Sequence, residues 1–277
     1  MAPKPRLGRI QYLNVLPIYF ALEHIFQENG FLLVRGTPAE LNARMRRGEV
    51  PLGSISAMEY GRGARDYLLL PGLSISSRGP VGSVLLFSRV DFSRLEGRAV
   101  QVSPASASGA ALLKVLMAKR FGVRPVYRQE PLGTGAANDI RAVLAIGDEA
   151  LALKAAGGWP HELDLGAAWQ ELTGLPFVFG VWAVRRDFAA AYPEATGELH
   201  RLLLQSLDWG LRALPELSRL AAAPFGMSPP QVLAYFQQLD YSLGPDHEKG
   251  LKKFFHYLHK LGELPDAPEL EYFGERG

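Results

Sequence analysis

Phe177-Val178-Phe179-Gly180-Val181-Trp182-Ala183-Val184 is the longest apolar run in the chain, and a glycine interrupts it. A run this short has the length of a buried strand and falls well below the ~18 residues of a membrane helix. A second such run, Val81-Gly82-Ser83-Val84-Leu85-Leu86-Phe87, lies far upstream of it. Between the two stand the signals of a complete α/β unit. Ala99–Val102 reads as a strand, Gly109–Phe121 as a helix, and Val123–Tyr127 and Ala142–Ile146 as strands. Asp148–Ala155 and Gly166–Thr173 then read as helices.

The chain outside this insert has its own unit. Arg6–Leu13, Phe31–Gly36 and Val50–Ile55 alternate as strands with helices over Pro17–Phe26 and Pro38–Arg47. Pro near each helix start and Gly48 after the second helix support these boundaries. Leu68–Ser76 adds a strand before the Arg78-Gly79-Pro80 turn. From Asp187 onward the pattern is helical, with apolar residues three or four apart over Arg201–Leu214, Pro229–Gln238 and His247–Leu261. Strand–helix–strand alternation predicts parallel sheets with helices on both faces.

An α/β unit inserted between two long strands predicts two α/β lobes, 1–90 plus 186–277 and 91–185, joined by two crossing strands. That plan resembles the bilobal, type II fold of periplasmic-type binding proteins. Ligands of open α/β folds sit beyond the carboxyl ends of the strands, which here converge on the cleft between the lobes.

Composition narrows the function. Lys plus Arg number 30 and Asp plus Glu 28, a net charge of +2 that argues against an electrostatic nucleic-acid binder. With zero Cys there can be no disulfide, thiolate metal site or cysteine nucleophile. The N-terminus carries no signal-peptide pattern, so a cytoplasmic protein with no membrane partner is expected. Gly133 to Asn138 starts like a dinucleotide loop but ends in Asn, and no Walker loop, nucleophile elbow or zincin helix is present. His256 and His259, three apart beside Lys252, Lys253 and Lys260, read as a solvated basic face; a metal pair would need a third ligand, for which His247 is the candidate nearby. The chemistry therefore falls to the residues after each strand. These are Asn14; Ser54 and Ser56; Ser106, Ser108 and Gly109 within Ser103-Pro-Ala-Ser-Ala-Ser-Gly109; and Asp148 after Ile146-Gly147. Small residues at a helix start let backbone amides face a carboxylate, although each hydroxyl could equally be a cap.

Several segments resemble one known family. They include Arg9-Ile-x-Tyr12-Leu-Asn14-x-x-Pro17, Pro38-x-x-Leu41-Asn42, Ser54-x-Ser56-x-x-x-Tyr60 and Ile146-Gly-Asp-Glu-Ala-Leu151. Asp164-Leu-Gly-x-x-Trp169 with Thr173-Gly-Leu-Pro-Phe-Val178 completes the set. The match is to chorismate dehydratases of the futalosine route to menaquinone and runs in order over nearly the whole chain. Where that family carries Ser-Arg-Thr-Ser, this chain has Ser106-Ala-Ser-Gly109. The resemblance implies elimination of water from chorismate, a small dicarboxylate, to give 3-[(1-carboxyvinyl)oxy]benzoate, without metal or cofactor and with no nucleic-acid or membrane partner. It implies Asn14 and Ser83 as the catalytic pair. Ser54, Ser56, Ser106, Ser108, Gly109 and Asp148 would then bind substrate. Two alternatives are a non-catalytic solute-binding protein of the same fold and the sister 1,4-dihydroxy-6-naphthoate-forming enzyme, which relies on a His.

Overall fold

The structure is a computed structural model that describes residues 4–26, 30–132 and 140–274. In chain order the elements begin with β1 (Arg6–Ile10), α1 (Leu16–His24), β2 (Leu32–Gly36), α2 (Pro38–Arg46), β3 (Leu52–Ser56), α3 (Ala57–Gly63) and β4 (Tyr67–Ser77). The second group is β5 (Val84–Ser88), β6 (Ala99–Val102), α4 (Ala107–Leu116), β7 (Val126–Gln129), β8 (Ile140–Ile146), α5 (Gly147–Ala156), β9 (His161–Asp164) and α6 (Leu165–Thr173). The chain closes with β10 (Phe177–Arg185) and helices α7 (Arg186–Ala191), α8 (Pro193–Arg212), α9 (Leu214–Ala222), α10 (Pro229–Gln238) and α11 (Pro245–Lys260).

Two five-stranded sheets share one pattern, β2-β1-β3-β10-β4 in the first lobe and β7-β6-β8-β5-β9 in the second. Four strands of each run in one direction, three of them side by side in parallel pairing as the alternation predicts. The remaining strand, fourth in the order, runs antiparallel to its neighbours. In each sheet that antiparallel strand is the first one the chain makes after passing from one lobe to the other.

This corrects the expected division. The sequence boundaries of 1–90 plus 186–277 and 91–185 put the strand near 81–88 in the first lobe and the strand at 177–185 in the second. Pairing reverses both, since Val84–Ser88 lies against β8 and β9 and Phe177–Arg185 lies between β3 and β4. Both runs are apolar because they fill interior positions of a sheet, which hydrophobicity registers without saying which sheet. The chain crosses at 78–83 and again through α6 and the 174–176 turn, so neither long strand itself spans the lobes.

Local chemistry sets the elements that carry the cleft. Thr37 accepts from Glu40 N while Glu40 accepts from Thr37 N, a capping box that starts α2 with Pro38 in its first turn. Tyr19 O–H donates to the Gly8 carbonyl at 2.7 Å and accepts from Trp182 Nε1 at 3.1 Å, which ties α1, β1 and β10 together in the core. Gly210 lets α8 cross α1 so closely that any Cβ would strike the Pro17 carbonyl.

The first crossing is anchored on both sides. The Asp164 carboxylate accepts from the backbone of Val81 and Gly82 and from Gly166 and Ala167 at the start of α6. Arg78 Nε donates to Asp240 at 3.0 Å, and Asp240 also receives the ring N–H of fully buried His247. Asp240 and Ser76 exchange backbone hydrogen bonds, which covers the edge of β4.

Candidate active site

The carboxyl ends of β1 and β3, the first crossing, the end of β8 and the start of α4 meet at one interlobe cleft. Its empty space is about 680 Å³, a figure that includes the open mouth. Asn14, Ser54, Ser56, Ser83, Ser106, Ser108 and Gly109 all line it, so seven of the eight residues singled out from sequence come together. Apolar walls come from Ile10, Ile55, Val84, Ile146 and Phe179.

Asp148 is the exception. Its neighbours Ile146 and Gly147 line the cleft, while Asp148 stands beyond them, half-buried, with Oδ1 buried and unpartnered. Burial pushes its carboxyl above the usual range. Burial also raises the Tyr12 phenol, and the carboxylates of Asp148 and Glu149 add to that. Gly147 has φ of +56°, a left-handed turn that aims the chain from β8 into α5, and the Tyr12 ring lies 3.8 Å from where a Cβ would be.

The hydroxyls divide by what they already hold. Ser56 caps α3, its Oγ accepting from Glu59 N at 3.0 Å. Ser108, on α4 of the second lobe, accepts from Met58 N at 3.1 Å, so a side chain of one lobe completes the first turn of a helix in the other. The capping reading is therefore correct for Ser56, whereas Ser108 serves the other lobe's helix rather than its own; in both the oxygen is the atom engaged. Ser54 is 2% exposed beside the Tyr19 hydroxyl. Ser83 Oγ lies 2.9 Å from the Tyr235 hydroxyl.

Three oxygens of the lining hold nothing. Asn14 Oδ1, Ser54 Oγ and Ser106 Oγ are buried and have no hydrogen-bond partner, and Asn14 and Ser106 face the cleft from opposite lobes. Ser106 occupies the N-cap position of α4 without making a cap bond, so the first amides of that helix keep no side-chain acceptor from it. A Cβ at position 109 would run into Ser106 Oγ and approach Val84 within 3.1 Å, so glycine there makes room for the Ser106 hydroxyl. No Lys, Arg or His lines the cleft among the described residues. The Gly133–Asn138 stretch lies outside the described residues.

Sequence reasoning missed Tyr235 and quoted Tyr12 and Asp164 only as motif residues, without a role. Tyr235 lies in an amphipathic helix where its spacing reads as core, and only its partner marks it.

Two five-stranded sheets in two lobes, with a cleft between them lined by hydroxyls and apolar side chains, define the chain as a periplasmic-binding-protein-like α/β protein. Residues 5–260 match the family described as Menaquinone biosynthesis, and the chain belongs to that family. It is 34% identical to a chorismate dehydratase of Thermus thermophilus, over 95% of this chain and 96% of the relative. It is 31% identical to a 1,4-dihydroxy-6-naphtoate synthase of the same organism, over 95% of this chain and 97% of that one. In fold it is similar to the alkanesulfonate-binding protein SsuA from Xanthomonas axonopodis pv. citri bound to MOPS. The TM-score is 0.69 at 18% identity, with 96% of each chain covered.

Proposed function

We propose that this protein dehydrates chorismate to 3-[(1-carboxyvinyl)oxy]benzoate. The observation that carries the reading is the near full-length similarity to a chorismate dehydratase, joined to a cleft that collects Asn14 and Ser83. The naphthoate-forming relative is nearly as similar in sequence, but the resemblance implies a histidine for that alternative, and no histidine lines this cleft among the described residues. Among the described residues no helix is long and apolar enough to cross a membrane. A cytoplasmic location goes with a biosynthetic step of this kind.

The reaction removes a ring C–H proton and the neighbouring hydroxyl. The C–H electron pair becomes the new ring double bond, the C–O bond breaks, and the departing hydroxide takes up a proton to leave as water. Aromatisation of the diene supplies the driving force, so the protein has to position, assist deprotonation and help the oxygen leave. Neither an amide nor an alcohol is a base at neutral pH. The proton is therefore assigned to a carboxylate of the substrate, with Asn14 orienting the ring and Ser83 O–H donating to the leaving oxygen. The substrate's two carboxylates find no cation in the cleft. They are held instead by hydroxyl protons and the open start of α4, through charge-assisted bonds of ~1.5–3 kcal/mol each. Ser106 and Ser108 stand nearest that role, with Gly109 giving access. Ser54 and Ser56 line the opposite wall.

Incubation with chorismate tests this directly. The diene absorbance should fall and a product lighter by one water should appear by mass. Chorismate left intact at high enzyme concentration would remove the proposal.

A further inference from the structure

Tyr235 belongs to α10, a helix that contributes nothing to the lining of the cleft. Its hydroxyl nevertheless reaches Ser83 Oγ at 2.9 Å, with Tyr235 5% exposed and Ser83 3%. Ser83 is therefore gripped from behind by a phenol while its other side faces the cleft. Two hydroxyls that share one hydrogen bond use one proton between them and leave the other proton free. Which of them donates decides whether Ser83 offers the cleft a proton or a lone pair.

A phenol is the stronger acid of the two and the better donor. Burial holds the Tyr235 phenol well above its ordinary range, and the nearby Asp148 charge adds to that, so it keeps its proton throughout the neutral range. Its hydroxyl has no hydrogen-bond partner besides Ser83 among the described residues. We infer that Tyr235 is a positioning residue for Ser83, its phenol donating to Ser83 Oγ and thereby turning the serine's own proton into the cleft, toward the oxygen that leaves. This inference rests on the dehydratase reading above. No atom is transferred by Tyr235 itself, which acts through Ser83.

Tyr241 supplies a control from the same core. Its hydroxyl is buried without a partner, so Tyr241→Phe removes an oxygen nearby and leaves the Ser83 bond intact.

The test measures kcat, KM and Tm with chorismate for the wild type, Tyr235→Phe, Ser83→Ala, their double variant and Tyr241→Phe. Tyr235→Phe should lower kcat about tenfold with KM changed less than about twofold. In the Ser83→Ala background the same change should add less than about twofold, because its partner is gone. Tyr241→Phe should keep the wild-type kcat. A Tyr235→Phe enzyme with unchanged kcat overturns the inference. So does a loss of equal size with and without Ser83, which a purely structural role would give. Should Tyr235→Phe fail to fold, 3-fluorotyrosine at 235 keeps the shape and sharpens the donor. An unchanged kcat there overturns the inference, and a change of about twofold or more upholds it. The wild-type arm stands apart: if it leaves chorismate intact, the dehydratase reading itself fails and takes this inference with it.

Discussion

Helices α3 and α4 start on opposite walls of one cleft, yet their first turns are satisfied differently. The start of α3 is closed, with Ser56 accepting from Glu59 N and Ser108 reaching across from the other lobe to Met58 N. The start of α4 is open, because Ser106 sits at its N-cap with a buried, idle hydroxyl. The two sequences offer the same small hydroxyl residues, so composition does not separate them. What separates them is whether the hydroxyl folds back on its own helix. A sealed helix start contributes stability and holds the lobes together; an unsealed, desolvated one is stabilised only when a ligand arrives.

The largest effect expected lies between the two helices. Asn14→Ala should cut chorismate turnover ~100- to 1000-fold if its amide contacts the transition state, with Tm nearly unchanged, since that amide oxygen makes no protein bond to lose. Near-normal turnover by the folded variant would reduce Asn14 to a turn former and move the search to Asp148.

The comparison itself is tested by a pair of serine deletions. Ser106→Ala should raise KM roughly 10- to 150-fold, the worth of one bond to a carboxylate, and leave Tm unchanged or slightly higher because an unsatisfied buried oxygen is gone. Ser56→Ala should show the opposite balance, costing ~1 kcal/mol and a few degrees of Tm with a smaller change in KM. If Ser106→Ala loses stability like Ser56→Ala, the open helix start is closed in solution and the contrast collapses.

Ser108→Ala sharpens the point about the lobes. It leaves Met58 N–H without its partner from the second lobe, and about 0.5–1.5 kcal/mol of interlobe contact should go with it. Small-angle scattering of the free protein should report a slightly larger radius of gyration, reversed by substrate.

The smallest effect at neutral pH concerns the crossing. Burial by itself would raise the Asp240 carboxyl, but hydrogen bonds from His247 and Ser242 outweigh it and hold the group well below the usual carboxylate range. A depressed folded pKa gives stability above the unfolded value, about 3.9, that is lost as pH falls through and below it. Thermal melts should thus be flat in this respect from neutral to about pH 5. The further loss toward acid should shrink in Asp240→Asn.

Much of this was legible in one dimension. The alternation that ends Arg6–Leu13 in Asn14, and Ala99–Val102 in the run of small residues, is local chemistry. It places both at strand ends, and strand ends of open α/β sheets converge. Several boundaries agree closely: Ala99–Val102 and Pro229–Gln238 are as expected, and Arg6–Leu13 shortens to Arg6–Ile10 because a 3-10 turn at Leu13–Val15 begins the helical entry. Strand β9, in which only Leu163 is apolar among His161, Glu162 and Asp164, carries too little apolar signal to be seen from sequence.

What the sequence by itself determined was most of the elements, the lobe count, the family and seven of the residues that line the cleft. Those follow from periodicity, strand-end chemistry and motif order, all properties of short segments. Only the tertiary structure decided which sheet takes Val84–Ser88 and which takes Phe177–Arg185, which serines spend their oxygens on caps, and that Tyr235 stands behind Ser83. Apart from the local Ser56 cap, these are pairings between segments far apart in the chain, Ser108 and Met58 by 50 positions and Ser83 and Tyr235 by 152. A buried strand or an amphipathic helix has the same sequence pattern whichever partner it meets, so the choice is made by packing and hydrogen bonding in three dimensions.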